Sequence, residues 1–222
     1  MNKYVFLLIM LFLSYQSHAQ KNTGVMAGTG VSNLRIRNVP DVLAPLLPSE
    51  YQASCSFYIG GYADFSLSDL IFLSPEIFYA NRGWKMVYDP LETTFRIMSN
   101  TIVLPILVKF NILKKLQVYT GPELSYAVDR NIKDLTNGAI SIESTSESSF
   151  DIAISAGVSF DFIKNMSVDL RYNYGVLDLR ETYYIPGDLI DPGLAGQQVP
   201  IDYEEYNWSF QIGLTYRFKI KD

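Results

Sequence analysis

The sequence has one cysteine, Cys55, and one histidine, His18, in 222 residues. A lone cysteine excludes an internal disulfide. The histidine lies in an N-terminal segment that reads as a removable leader, so the rest of the chain has no imidazole. That excludes histidine-based catalytic triads, histidine general bases and histidine-containing metal sites. Beyond the leader no stretch approaches the roughly 18 apolar residues of a spanning helix, so any insertion into a bilayer must use strands. Positive charge is scarce as well: 18 Lys and Arg stand against 23 Asp and Glu, and without Lys3 the balance is 17 against 23. A net negative chain lacks the basic footprint that phosphate backbones require, which excludes nucleic-acid partners.

The leader is specific. One positive charge at Lys3 precedes an apolar run from Tyr4 to Leu13, followed by polar Ser14, Gln16, Ser17 and His18. Ser17 and Ala19 suit the small-residue positions of a cleavage site before Gln20, and the apolar run is about half the roughly 20 residues of a membrane-spanning helix. The reading is a cleavable signal peptide over residues 1–19 and a single domain over residues 20–222, a length that suits one all-β domain.

The remaining sequence alternates with period two, segment after segment, and shows no helical spacing of apolar residues. In the last segment Trp208, Phe210, Ile212, Leu214, Tyr216 and Phe218 share one face, opposite Ser209, Gln211, Gly213, Thr215 and Arg217. Met166 to Gly175 and Ile152 to Phe162 repeat the pattern, and further strands are predicted at about residues 23–34, 54–66, 70–84, 97–111 and 116–129. That makes eight. Pro75, Pro105 and Pro122 fall inside three of them and threaten the local register, since each removes a ladder donor. Connections alternate long and short: Arg35 to Ala53, Lys85 to Arg96, Arg130 to Glu147 and Leu177 to Glu205 are long, and Leu67 to Asp69, Ile112 to Lys115 and Ile163 to Asn165 are short. An antiparallel up-and-down transmembrane β-barrel has this rhythm, with tight turns on the periplasmic side and extended loops outside.

Alternation alone does not say which face touches lipid, because a soluble lipocalin-like ligand binder also has one apolar and one polar face. Here the polar face is rich in Gly, Ala and Ser and carries Asp64, Glu76, Lys109, Glu123, Asp161, Asp169, Arg171 and Arg217 well inside strands. Small residues and paired ions suit a narrow eight-stranded lumen. The expectation is therefore a lumen charge network of Glu76, Lys109, Glu123, Asp161, Asp169, Arg171 and Arg217, because unpaired buried charge is costly. Met26 reads as lumen packing, and Gly28 and Gly30 as relief of strand crowding. Tyr58, Tyr79, Tyr126, Tyr174 and Tyr216 lie near strand ends and are expected to form interfacial girdles. Cys55 reads as a packing residue.

The final strand, Gln211-Ile-Gly-Leu-Thr-Tyr-Arg-Phe218, resembles the signal with which outer-membrane barrels address the barrel-assembly machinery, with Gly213, Tyr216 and Phe218 at the matching places. The segments Leu104-Pro-Ile-Leu-Val-Lys-Phe110, Val118-Tyr-Thr-Gly-Pro-Glu123, Ala156-Gly-Val-Ser-Phe160 and Leu170-Arg-Tyr-Asn-Tyr-Gly175 are similar to the PorT-type, OmpA-like outer-membrane barrels of Bacteroidota. The resemblance covers most of the chain after the leader. It implies a bacterial outer-membrane location, lipid and envelope or secretion proteins as partners, and no catalytic set.

No cofactor motif is present, and the chemistry points to a non-enzymatic structural or interaction module, with small-solute transport and a soluble periplasmic ligand binder as alternatives. The stretch 178–205 gathers Asp178, Glu181, Asp188, Asp191, Asp202, Glu204 and Glu205 around Arg180, Pro and Gly. It reads as a solvated loop, with divalent-cation binding through hard oxygen ligands as the sharper option. The leader makes a direct prediction: protein recovered from the cell envelope should have the intact mass of a chain beginning at Gln20, and a mass that still includes Met1 to Ala19 would disprove the cleavage.

Overall fold

The computed structural model describes residues 20–40, 47–89, 92–136, 141–144, 150–179, 183–186, 193, 197–201 and 204–218, and the leader lies outside them. Among the described residues eleven strands run in chain order: β1 Gln20–Arg37, β2 Glu50–Ser66, β3 Ile71–Tyr88, β4 Thr93–Leu113, β5 Leu116–Asp134, β6 Ser141–Ser144, β7 Phe150–Ile163, β8 Met166–Gly175, β9 Tyr183–Pro186, β10 Gln198–Ile201 and β11 Glu204–Phe218. The sheet order is β4-β3-β2-β1-β11-β8-β7-β5, and the β4–β5 pairing closes it into a ring of eight antiparallel strands. β6 continues beside β5 where β7 has ended, through pairs such as Lys133 with Ser141. β9 and β10 form a separate two-stranded ribbon.

Closure follows from the sequence alternation. A strand that presents apolar side chains on one face to a medium without water must satisfy every backbone group from its neighbours, and only a closed ladder does so. The apolar face is outside: Phe160, Leu170 and Phe210 are 48%, 37% and 44% exposed, as are Ile59, Ile77, Leu104, Ile154 and Ile212 on other strands. A soluble ligand binder needs the reverse arrangement. Two tight turns, Lys114–Lys115 and Lys164–Asn165, lie with residues 67–70 and the first and last strand ends at one end of the ring. Asn165 adopts φ 70°, a left-handed turn conformation that Asn tolerates well.

At the opposite end the strands run further than the sequence pattern indicates. β3, β4 and β5 have 18, 21 and 19 residues, against roughly 9–11 for one tilted crossing. Beyond the lipid belt the outward face is no longer apolar, so the alternation that marks a strand fades while the ladder continues. The long connections shorten accordingly: the expected loop from Lys85 to Arg96 is mostly strand, with only residues 89–92 between β3 and β4. β8, with 10 residues, barely spans, so the wall is tall on one side and low on the other. The proline expectation is also corrected. Registers run unshifted through Pro75 opposite Ile106, Pro105 opposite Glu123 and Pro122 opposite Ile154. The shifts near the top of the belt fall instead between Ala53 and Phe57 and between Asn100 and Thr101.

Inside, large rings lie over missing β-carbons. Gly28 pairs with Gly213 on one side and Tyr58 on the other, and a β-carbon on Gly28 would overlap the Ile212 carbonyl and press on the Tyr58 ring. Tyr62 lies against Gly24 and Tyr119 against Gly157 in the same way. This arrangement lets bulky side chains fill a narrow bore without pushing the wall outward. Gly28→Ala should therefore lower unfolding stability by about 1–3 kcal/mol, measured by denaturant titration in vesicles; an unchanged midpoint would show that the bore tolerates the added carbon.

Candidate functional site

The lumen is plugged at mid-height by a charge cluster. Arg171 on β8 places Nη2 2.7 Å from Glu76 Oε2 on β3, and its Nε lies 3.8 Å from Asp169 Oδ1. Lys109 on β4 reaches Asp64 at 3.2 Å and Glu76 at 3.3 Å. Tyr119 on β5 donates its hydroxyl to Asp169 at 2.7 Å and accepts from Arg171 Nε at 3.3 Å. Arg171 is 2% exposed, and its guanidinium also stacks between Phe78 and Tyr119, 5.5 and 5.3 Å from the ring centroids. Each group is set by strand parity: residues two apart share the inward face, so Asp169, Arg171 and Asn173 line up on β8, and Glu76, Phe78 and Ala80 on β3.

A second level lies nearer the loop end. Arg82 on β3 places Nη1 2.8 Å from Glu123 Oε1 on β5, and Ser155 bridges Glu123 and Asn173 at 2.8 and 2.7 Å. Above this pair a cavity of about 50 Å³, lined by Trp84, Arg130, Asp151 and Asn207 among others, opens toward the loops. A smaller cavity of about 10 Å³ is lined by the plug's own Asp64, Glu76, Lys109, Asp169 and Arg171 together with Tyr62. Met26, Tyr58, Tyr62, Phe78, Ala80 and Val103 form a buried aromatic and aliphatic cluster inside the bore.

Of the seven residues expected in the lumen, Glu76, Lys109, Asp169 and Arg171 meet in one cluster with Asp64. Glu123 belongs to the upper level. Arg217 and Asp161 pair at 3.4 Å near the tight-turn end, where both are partly exposed. Sequence reasoning missed Arg82 and Tyr119, yet parity exposes both, since Arg82 shares its face with Glu76 and Tyr119 shares its face with Glu123. The girdle expectation fails for Tyr58, which is 3% exposed and packs on Phe78 inside the bore. Ser54, Ser56 and Asp64 flank it on the inward parity, and that was the overlooked signal.

Tyr79, Tyr126 and Tyr216 face outward. At the top of the belt Tyr79 and Asn81 donate to Asn100 Oδ1, each at 2.7 Å, and Asn100 and Asn131 donate to Asp129 at 3.1 and 2.8 Å. Across the ring Arg35 lies 4.1 Å from the centroid of Tyr174 and 5.1 Å from that of Tyr206. Tyr216 and Phe218 project outward edge to face at 5.7 Å, while Gly213 leaves room for Tyr58. Cys55 is on the outer face and exposed rather than packed inside. In the acidic stretch, Asp178 accepts the Glu205 amide at 3.0 Å. Glu181, Asp188, Asp191 and Asp202 lie outside the described residues, among which no group of three metal-ligating side chains is found.

A family model described as "Outer membrane protein beta-barrel domain" matches residues 15–181. No curated protein matches the chain. Among solved structures it is similar to the outer membrane protein OprG from Pseudomonas aeruginosa, at 14% identity and a TM-score of 0.51 over 92% of this chain and 99% of that one. Ail, the attachment invasion locus protein of Yersinia pestis, aligns at 14% identity and a TM-score of 0.48 over 89% and 98% of the two chains. Neisserial surface protein A aligns at 17% identity and a TM-score of 0.49 over 88% and 97%. At such identities the likeness is one of fold.

The geometry orders the lumen ion pairs by cost. Arg171→Met would leave Glu76 and Asp169 buried beside too little positive charge, and unfolding in vesicles should show a loss of about 3–5 kcal/mol. Arg217→Gln, at the partly exposed pair, should cost under about 1 kcal/mol. Equal losses from the two variants would contradict a buried central cluster.

Proposed function

The chain belongs to the outer membrane protein β-barrel domain family, and from that premise we propose that it is a plugged, non-enzymatic barrel working as a structural or interaction module of the cell envelope. Its setting on this reading is a PorT-like protein secretion or surface-assembly complex. Residues 1–19 direct export and are removed, the barrel-assembly machinery reads the strand that carries Gly213, Tyr216 and Phe218, and lipid surrounds the belt.

The observation that carries this reading is the division of the molecule at the top of the belt. Below it the bore is occupied by Arg171, Glu76, Lys109, Tyr58 and Phe78, and the cavities of about 50 and 10 Å³ among the described residues are small, which supports a plugged bore. Above it β3, β4 and β5 continue as a raised wall whose outward face is polar and whose ladder extends into β6. A barrel that gave its strands this extra length only to cross the bilayer would have no use for it. The raised wall is a surface a partner can reach, and the residues after the leader, having no imidazole, lack the usual means of hydrolytic and acyl-transfer chemistry.

Small-solute transport is the competing reading, and planar-bilayer recording separates the two. The purified barrel should show no steady conductance, and affinity purification from membranes after mild detergent extraction should recover defined envelope proteins. Steady single-channel conductance from the unaltered chain would overturn the plugged-module proposal in favour of transport.

A further inference from the structure

Three cations stand side by side on the raised wall. Lys85 on β3 is opposite Arg96 on β4, and Arg96 is opposite Lys133 on β5. Directly opposed residues share a face. Their chain neighbours Trp84, which lines the upper cavity, and Ile97 and Asp134, which are buried, face inward, so the three cations project outward. With neighbouring strands about 4.8 Å apart, the row spans about 10 Å. Like charges directly opposed repel, and among the described side chains no carboxylate is paired with them. Glu50 accepts from Gln52, and Asp129 is held by Asn100 and Asn131. No ion pair involves Lys85, Arg96 or Lys133 among the described residues, and Arg96 Nε is buried without a hydrogen-bond partner. Arg35, across the ring, differs in having aromatic faces and a backbone carbonyl for its guanidinium.

The height of the row bears on which anion it can meet. A belt about 25 Å tall, climbed at about 2.5 Å per residue by a tilted strand, takes about ten residues. Measured from Ile71 on β3 and Phe110 on β4, it ends at Asn81 and Asn100, where the Tyr79–Asn81–Asn100–Asp129 hydrogen-bond ladder lies. Lys85 and Arg96 stand four residues higher, or about 10 Å, which long flexible side chains span back toward the membrane surface.

We propose that Lys85, Arg96 and Lys133 form a binding row for the phosphate groups of a phosphorylated glycolipid in the outer leaflet, holding one such lipid against the β3–β4–β5 wall. Guanidinium and ammonium groups spaced at strand intervals bind phosphate oxygens through charge-assisted hydrogen bonds. The bound lipid relieves the repulsion within the row and fixes the depth of the tall side of the barrel. This rests on the outer-membrane reading of the chain.

The test uses the full-length protein folded into phosphatidylcholine nanodiscs containing bis-phosphorylated lipid A, with retained lipid counted by native mass spectrometry. The triple variant Lys85→Gln, Arg96→Gln, Lys133→Gln should retain at least about fivefold less lipid A than the unaltered chain. Lys133→Gln alone, at an exposed position, should retain about twofold less and keeps the test valid if the triple variant folds poorly. Removing the same charge at the tight-turn end, through Lys114→Gln, Lys115→Gln and Lys164→Gln, should change nothing. Retention unaffected by both Lys133→Gln and the triple variant, or an equal loss from the tight-turn variant, overturns the proposal. So does full displacement by millimolar inorganic phosphate, which would assign the row to a soluble anion. Insertion of the unaltered chain, read from its heat-dependent electrophoretic mobility, separately tests the membrane reading: a folded barrel that ignores lipid A refutes the row alone.

Discussion

The whole structure depends on one requirement: within lipid, every backbone amide and carbonyl must find its partner in the protein, because no water is there to serve instead. A row of strands meets this only by closing on itself. The β4–β5 pairing completes that closure here, and it dictates what each side chain can be. Outward positions meet lipid and become Phe, Ile, Leu and Val. Inward positions share a bore bounded by eight strands, too narrow for bulk water and too polar in sequence to pack like an ordinary core.

The second constraint follows from the first. Charges brought into the bore cannot be solvated, so they must be matched within it. Glu76 is shared by Lys109 and Arg171, Asp64 by Lys109, and Asp169 by Arg171 and the Tyr119 hydroxyl. The rings that finish the plug fit because glycines on neighbouring strands leave space for them: Tyr58 over Gly28 and Gly213, Tyr62 over Gly24, and Tyr119 over Gly157. Charge pairing and ring-over-glycine packing are thus two parts of one solution to a narrow bore, and altering either one loads the other.

Within the belt, sequence period and structure agree closely, because lipid imposes a strict rule on every second residue and the rule is visible in residue type. Phe210, Ile212 and Leu214 could face only one way. Above the belt no such rule operates, since water accepts either face, and residues 85–88 and 93–96 look like loop while the ladder carries them as strand. Tyr58 misleads for a related reason: Tyr is at home both at a membrane interface and in a packed lumen, and only its parity with Ser56 and Asp64 decides. The Lys85–Arg96–Lys133 row depends on register between strands, which no single strand's pattern contains. Pro75, Pro105 and Pro122 look like register breakers, yet a ladder of such length is held by the pairs above and below each of them.

The unequal heights of the wall carry the proposed interaction role. Ten residues suffice for β8, so nothing about crossing the bilayer explains the additional length of β3, β4 and β5. Bulges mark where the two regimes meet, between Ala53 and Phe57 and between Asn100 and Thr101. Such irregularities bend and twist a sheet, and at this level they let the wall depart from the geometry that the closed ring demands. Below them side-chain identity is governed by lipid and by the bore. Above them it is governed by neither, and charges can stand in unpaired rows. A bore filled by its own ion pairs and a wall raised beyond the belt are consistent with each other: together they support the proposal that the molecule works through its outward strands and not through its bore.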